Sequence, residues 1–147
     1  MFRIIFILST VLCFSACDSK EENTSVSNDI KLFSSIIRSN TQLPSSVLEV
    51  DFVEISLGDG DFGPSDFVFY ARFKVSKSEL PKWIKGLKEI NNTLDDQFPT
   101  PKFSWWLKKA KFETLNTYEA KKYFGRPNGW LAIDKESGYI YAYTFTM

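Results

Sequence analysis

Glu49, Asp51 and Glu54 are the carboxylates whose spacing comes nearest to acid–base chemistry. Glycosidases work with two carboxyl groups facing each other across a cleft and need no histidine, so that class stays open to this chain. Glu49 and Asp51, however, alternate with Leu48, Val50 and Phe52, which puts them on the water side of one strand. A second acidic group, Asp59, Asp61 and Asp66, lies in Gly58-Asp59-Gly60-Asp61-Phe62-Gly63-Pro64-Ser65-Asp66. Closely spaced carboxylates can hold calcium, but an EF-hand type of loop wants an oxygen donor at 63 and a Glu further on. Gly63 and Pro64 break that pattern, and Gly, Pro and Asp are also what a hairpin tip needs. The sequence therefore assigns no metal ligands. It contains no histidine, and its only cysteines are Cys13 and Cys17. Ser-His-Asp and Cys-His catalysis and the usual zinc sites are excluded on those grounds. No cofactor motif is present.

The remaining residues of interest are aromatic. Trp105-Trp106 follows Pro99-Thr100-Pro101-Lys102-Phe103, and Trp83 and Trp130 bring the tryptophans to four. Adjacent side chains on a regular element point in different directions, so one of Trp105 and Trp106 is expected at the surface. Exposed aromatic rings stack on sugars and anchor protein interfaces. Phe62 is unusual inside a polar turn and is a second contact candidate. Trp105, Trp106 and Phe62 are the expected partner-binding residues. Lys108, Lys109, Lys111, Lys121 and Lys122 are close in sequence and form a candidate basic rim.

The N-terminus has its own chemistry. Arg3 precedes the apolar runs Ile4–Leu8 and Val11–Phe14, and Ser15-Ala16 stand before Cys17. Charge, apolar run and small residues in that order describe a signal peptide over 1–16. The run is shorter than the ~20 residues that span a bilayer. Phe14-Ser15-Ala16-Cys17 resembles the lipobox of bacterial lipoproteins, with Phe in place of the usual Leu. That resemblance covers the first 17 residues only. It implies diacylglyceryl transfer to the Cys17 sulfur, cleavage before it, and acylation of the new amine by fatty groups such as palmitate. One buried acyl chain holds weakly and two hold stably. The expected partner of Cys17 is thus the membrane, with the chain facing the periplasm of a bacterial cell envelope. Asp18 resembles the residue that keeps enteric lipoproteins on the inner membrane.

Residues 17–28, polar and without periodicity, read as a tether with a reach of about 18 Å. Residues 29–147 suit one domain. Net charge is zero but segregated: Asp18–Tyr70 holds ten acidic and three basic residues, Ala71–Met147 fourteen basic and eight acidic. Such a division either neutralises itself in the fold or steers a charged partner. Nucleic acid is not an expected partner, because the chain is not basic overall.

The elements that must position these residues follow from periodicity. Ile30, Phe33, Ile36 and Ile37 have helical spacing after a capping Asn28 or Asp29. Val47–Leu57 and Asp66–Val75 alternate as a hairpin, with a phase slip at Phe52-Val53 that suggests a β-bulge. Ser78 to about Leu94 reads as a helix with stripe Leu80, Trp83, Ile84, Leu87, Ile90 and Leu94, and with Lys82, Lys85 and Lys88 outside. Phe103–Phe112 reads as a short helix or irregular, and Thr117–Phe124 as a short helix stopped by Gly125 and Pro127. Gly129–Asp134 and Tyr139–Thr146 form a last hairpin. The expected fold is α+β: a four-stranded antiparallel sheet built from two hairpins, with helices packed on one face. The functional expectation is a non-catalytic, membrane-anchored module that binds a protein or glycan in the envelope. The alternatives are a small hydrolase with paired carboxylates and a structural spacer.

Overall fold

A computed structural model describes residues 25–57, 66–90 and 98–146. Phe62, Asp59 and Asp61, and the whole 1–17 segment with Cys17, lie outside the described residues. The chain runs α1 (Ile30–Arg38), β1 (Glu49–Leu57), β2 (Asp66–Lys74), α2 (Leu80–Ile84), β3 (Glu89–Ile90), α3 (Lys109–Phe112), β4 (Asn116–Glu119), α4 (Lys121–Phe124), β5 (Asn128–Asp134) and β6 (Tyr139–Phe145). The strands form one antiparallel sheet in the order β1-β2-β6-β5-β4-β3. The α+β class and both expected hairpins are present, but the sheet has six strands rather than four.

Both added strands come from segments read as helix. Gly86 adopts φ +75°, a conformation that only glycine takes at little cost, and α2 stops at Ile84. The later members of the expected stripe then go elsewhere. Glu89 and Ile90 pair with Tyr118 and Thr117, and the Glu119 N–H donates to the Lys88 carbonyl at 2.9 Å. In β4, Thr117 and Tyr118 are both buried, one on each side of the sheet, so the strand shows no alternation. The Thr117 hydroxyl donates to the Ile90 carbonyl at 2.8 Å.

The bulge is also corrected. β1 and β2 pair one-to-one from Glu49 opposite Lys74 to Leu57 opposite Asp66. The phase slip at Phe52-Val53 arises because both residues are buried, on opposite sides of the sheet. The sheet is covered on two faces, not one. Against one face lie α1, α2 and α4, enclosing Phe33, Ile37, Phe69, Phe73, Trp83, Tyr123 and Ile140. Against the other lie segment 98–115 and α3, enclosing Trp106, Leu107, Phe112, Leu115 and Trp130.

Local chemistry sets α1 and the β5–β6 pairing. The Asp29 carboxylate accepts the N–H groups of Lys31 (2.8 Å) and Leu32 (3.0 Å) and so caps α1. Phe33 and Ile37 then face the sheet with no exposure. The chain meets the sheet two residues before that cap: Ser27 bridges Phe52 on the outer edge of β1, with N–H to carbonyl distances of 2.8 and 2.9 Å. Gly129 has φ +113°, and a Cβ there would stand 2.0 Å from the Tyr143 carbonyl oxygen, so β5 and β6 can approach only with glycine at this position.

Candidate functional site

The alternating residues of β6 divide the molecule chemically. Ile140, Ala142 and Thr144 are buried under the helices. Tyr139, Tyr141, Tyr143 and Phe145 are half-buried on the other face. There they meet Tyr70 from β2, Trp130 from β5 and the irregular segment that carries Trp105-Trp106. The result is a continuous aromatic layer. Tyr70 lies 5.1 Å from Trp106, 5.4 Å from Tyr143 and 5.9 Å from Phe103, and Trp106 lies 5.9 Å from Trp130. Burial pushes the Tyr70 phenol up to about 12, with Tyr143 adding to the effect, so it stays neutral and works as an apolar ring.

The tryptophan pair divides as adjacent residues must. Trp106 is 7% exposed, and its indole N–H donates to the Pro99 carbonyl at 3.2 Å. It is a core residue of the aromatic layer. Trp105 is partly buried at the surface of that layer. Phe103 stacks on it at 5.3 Å with planes 6° apart, and Trp106 meets it edge-on at 5.9 Å and 82°. The Trp105 Nε1 is buried with no acceptor. Trp105 is therefore an aromatic platform held from two sides, with its Nε1 edge turned inward.

Along the β1 edge of this face runs a charged strip. Arg72 pairs with Asp51 at 2.5 Å and lies 5.0 Å from the Tyr139 ring centroid. Lys74 pairs with Glu49 at 3.0 Å, and the Tyr139 hydroxyl donates to the other Glu49 oxygen at 2.8 Å. Those two contacts, Tyr139 first and Lys74 second, hold the Glu49 carboxyl below its usual range. The Arg72 Nε is buried without an acceptor. Glu54 points to the helical face, where Arg126 holds it at 2.8 Å while lying 4.1 Å from the Phe67 ring centroid. All three candidate carboxylates are thus ion-paired, and they are split between the two sides of the sheet.

The basic rim is redistributed as well. Lys121 and Lys122 sit on α4 with Tyr123 and Phe124, under the opposite face from Trp105. Lys111 belongs to the aromatic side but is taken up by Asp134 (3.3 Å) and Glu136 (3.9 Å). Among the described residues no group of three or more His, Cys, Asp or Glu could hold a metal ion, and no helix is long and apolar enough to cross a membrane. Asp66 is the first residue of β2, opposite Leu57. Sequence reasoning missed Arg72, Tyr70 and Phe103 as parts of the aromatic face. Arg72 and Tyr70 do alternate on one strand, so their shared face was readable, whereas the return of segment 98–115 over that face carries no local signal.

No protein-family model, no curated protein and no solved structure matches this chain.

Proposed function

We propose that this protein is a lipid-anchored module of the bacterial cell envelope that binds a glycan or protein partner through the aromatic face around Trp105. The observation that carries the binding reading is Trp105 itself: a partly exposed indole, stacked on Phe103 at the surface of the aromatic layer. The Nε1 edge is turned away from solvent, so a partner would meet the exposed part of the ring and not the donor. Trp106 supports the platform from beneath rather than touching the partner. Phe62 is kept as a second contact of the same partner. The anchoring reading rests on Phe14-Ser15-Ala16-Cys17 and the apolar run before it. Cys17 carries the acyl groups, residues 1–16 are removed, and Asp18 favours the inner membrane, periplasmic side.

A carboxylate hydrolase needs an acid whose pKa burial has raised. Glu49 moves the opposite way, and Asp51 and Glu54 are each held by an arginine. The experiment is affinity capture from envelope extract and binding to isolated envelope glycans, comparing the native chain with Trp105→Ala. Loss of a specific partner on that substitution, with the fold intact, supports the reading. An unchanged set of partners rejects the role of Trp105.

A further inference from the structure

Among the described residues, the helical side of the molecule carries an excess of positive charge. Along residues 29–38, 77–88 and 119–122 there are eight cations, from Lys31 to Lys122, and three acids, Asp29, Glu79 and Glu119. The acids are already committed. Asp29 caps α1, Glu79 holds Lys82 at 2.6 Å, and Glu119 holds Lys88 at 2.7 Å. Lys31, Arg38, Lys77, Lys85 and Lys121 make no ion pair among the described residues, and the Lys122 ammonium donates to the Lys85 carbonyl. On the aromatic side Arg72, Lys74 and Lys111 are paired with carboxylates, while Lys102 and Lys108 make no ion pair among the described residues.

Apolar surface lies between these cations. One groove of about 540 Å³, between α1 and the loop after it, has Ile30, Leu43 and Val47 with Lys31 and Arg38 at its border. Another of about 450 Å³ has Leu80, Pro81 and Ile84 bordered by Lys77, Lys85 and Lys135. No acid lines either one. On α1, Leu32 is 50% exposed. Cationic side chains around shallow apolar surface match an anionic headgroup layer, where the charges meet phosphates and the apolar groups reach the acyl boundary.

The entry point of the chain selects this occupant. Ser27 joins the β1 edge directly before α1, and nine residues separate it from Cys17. At ~3.3–3.6 Å per residue when fully extended, the chain from Cys17 to Ser27 spans at most about 36 Å, so acyl groups on Cys17 keep α1 near the bilayer. We propose that the helical layer docks on an anionic phospholipid surface, turning the Trp105 face away from the bilayer toward its partner. This rests on the acylation of Cys17 and adds an orientation to it. The diacylglyceryl group on Cys17 holds the chain at the bilayer by itself, and the docking of the basic layer is the part that depends on lipid charge and salt.

The test uses the mature acylated chain bound to vesicles of phosphatidylcholine alone or with added phosphatidylglycerol. Lys85→Cys, Lys121→Cys and, on the aromatic side, Lys108→Cys each receive a fluorophore. With Cys13 removed and Cys17 acylated, the introduced thiol is the only free one. Quenching by a headgroup-labelled lipid reports proximity. Positions 85 and 121 should gain at least about twofold in quenching on phosphatidylglycerol vesicles, the gain should vanish at high salt, and position 108 should not change. Retention on both vesicle types with no gain at 85 and 121, or an equal gain at 108, overturns the docking proposal and leaves the anchor standing. A chain that neutral vesicles do not retain, and whose N-terminal mass lacks acyl groups, overturns the anchor and the docking with it.

Discussion

Replacing each tryptophan of the Trp105-Trp106 pair separates support from contact. Trp106 is 7% exposed, packs within 5.1–6.2 Å of Tyr70, Trp105, Trp130 and Tyr141, and bonds the Pro99 carbonyl. Trp106→Ala removes that ring from between the sheet and segment 98–115 and leaves a cavity, a change that costs about 3–5 kcal/mol in comparable cores. Trp105 is only partly buried, so its ring contributes less burial free energy than that of Trp106. Its Nε1 has no acceptor, and removing an unsatisfied donor returns about 1 kcal/mol. Trp105→Ala should therefore cost about 1–2 kcal/mol. In urea, with a slope of roughly 2 kcal/mol per molar, Trp106→Ala should lower the unfolding midpoint by about 2 M and Trp105→Ala by about 0.5–1 M. Equal midpoints for the two variants, or a larger loss for Trp105→Ala, would refute the division of roles. The same contrast makes Trp105→Ala the usable probe of binding, since its fold survives.

Three other perturbations test the surrounding account. Gly129→Ala would force a Cβ to 2.0 Å from the Tyr143 carbonyl oxygen at φ +113°, so a loss of about 3 kcal/mol or more is expected, read as a large drop in melting temperature. Asp134 is buried, which alone would raise its carboxyl, but hydrogen bonds from Ser137, the Glu136 amide and Lys111 bring it below the usual range. Its folded pKa lies below its unfolded one, so its contribution is present above the ordinary aspartate range and fades as pH falls through the folded value; Asp134→Asn should flatten the acid limb of a denaturation curve run against pH. A double-mutant cycle on Glu54 and Arg126 should give a coupling of about 0.2–1 kcal/mol that shrinks with salt, because the Glu54 side chain is 51% exposed. Arg126→Ala alone should cost more than Glu54→Ala, since its guanidinium also covers Phe67.

The sequence made some of this fold legible because period and burial agreed there. Tyr139–Phe145 alternates cleanly, since one side faces the helical core and the other the aromatic layer at lower burial. Asp29 as a cap and Phe33 and Ile37 as an inner stripe were equally readable. Where a strand is buried on both faces, alternation disappears. That hid Thr117 and Tyr118 in β4 and made Phe52-Val53 look like a bulge. The expected long helix after Ser78 failed at Gly86, whose positive φ ends it although Leu87 and Ile90 keep helical spacing. In the candidate site, the chemistry of adjacent tryptophans was visible, but not which of the two turns inward. That depends on segment 98–115 folding back over β2, β5 and β6, a long-range contact with no local pattern. The lysines shared the same fate: Lys108 and Lys121 are 13 positions apart and lie on opposite sides of the sheet.

The claim on which the rest depends is chemical, and mass spectrometry of the N-terminal peptide from protein made in a bacterial host reads it directly. The expected peptide begins at Cys17 and carries a diacylglyceryl group, with or without a third acyl chain. A peptide that retains residues 1–16, or one in which Cys17 is present with an unmodified thiol, would contradict the account.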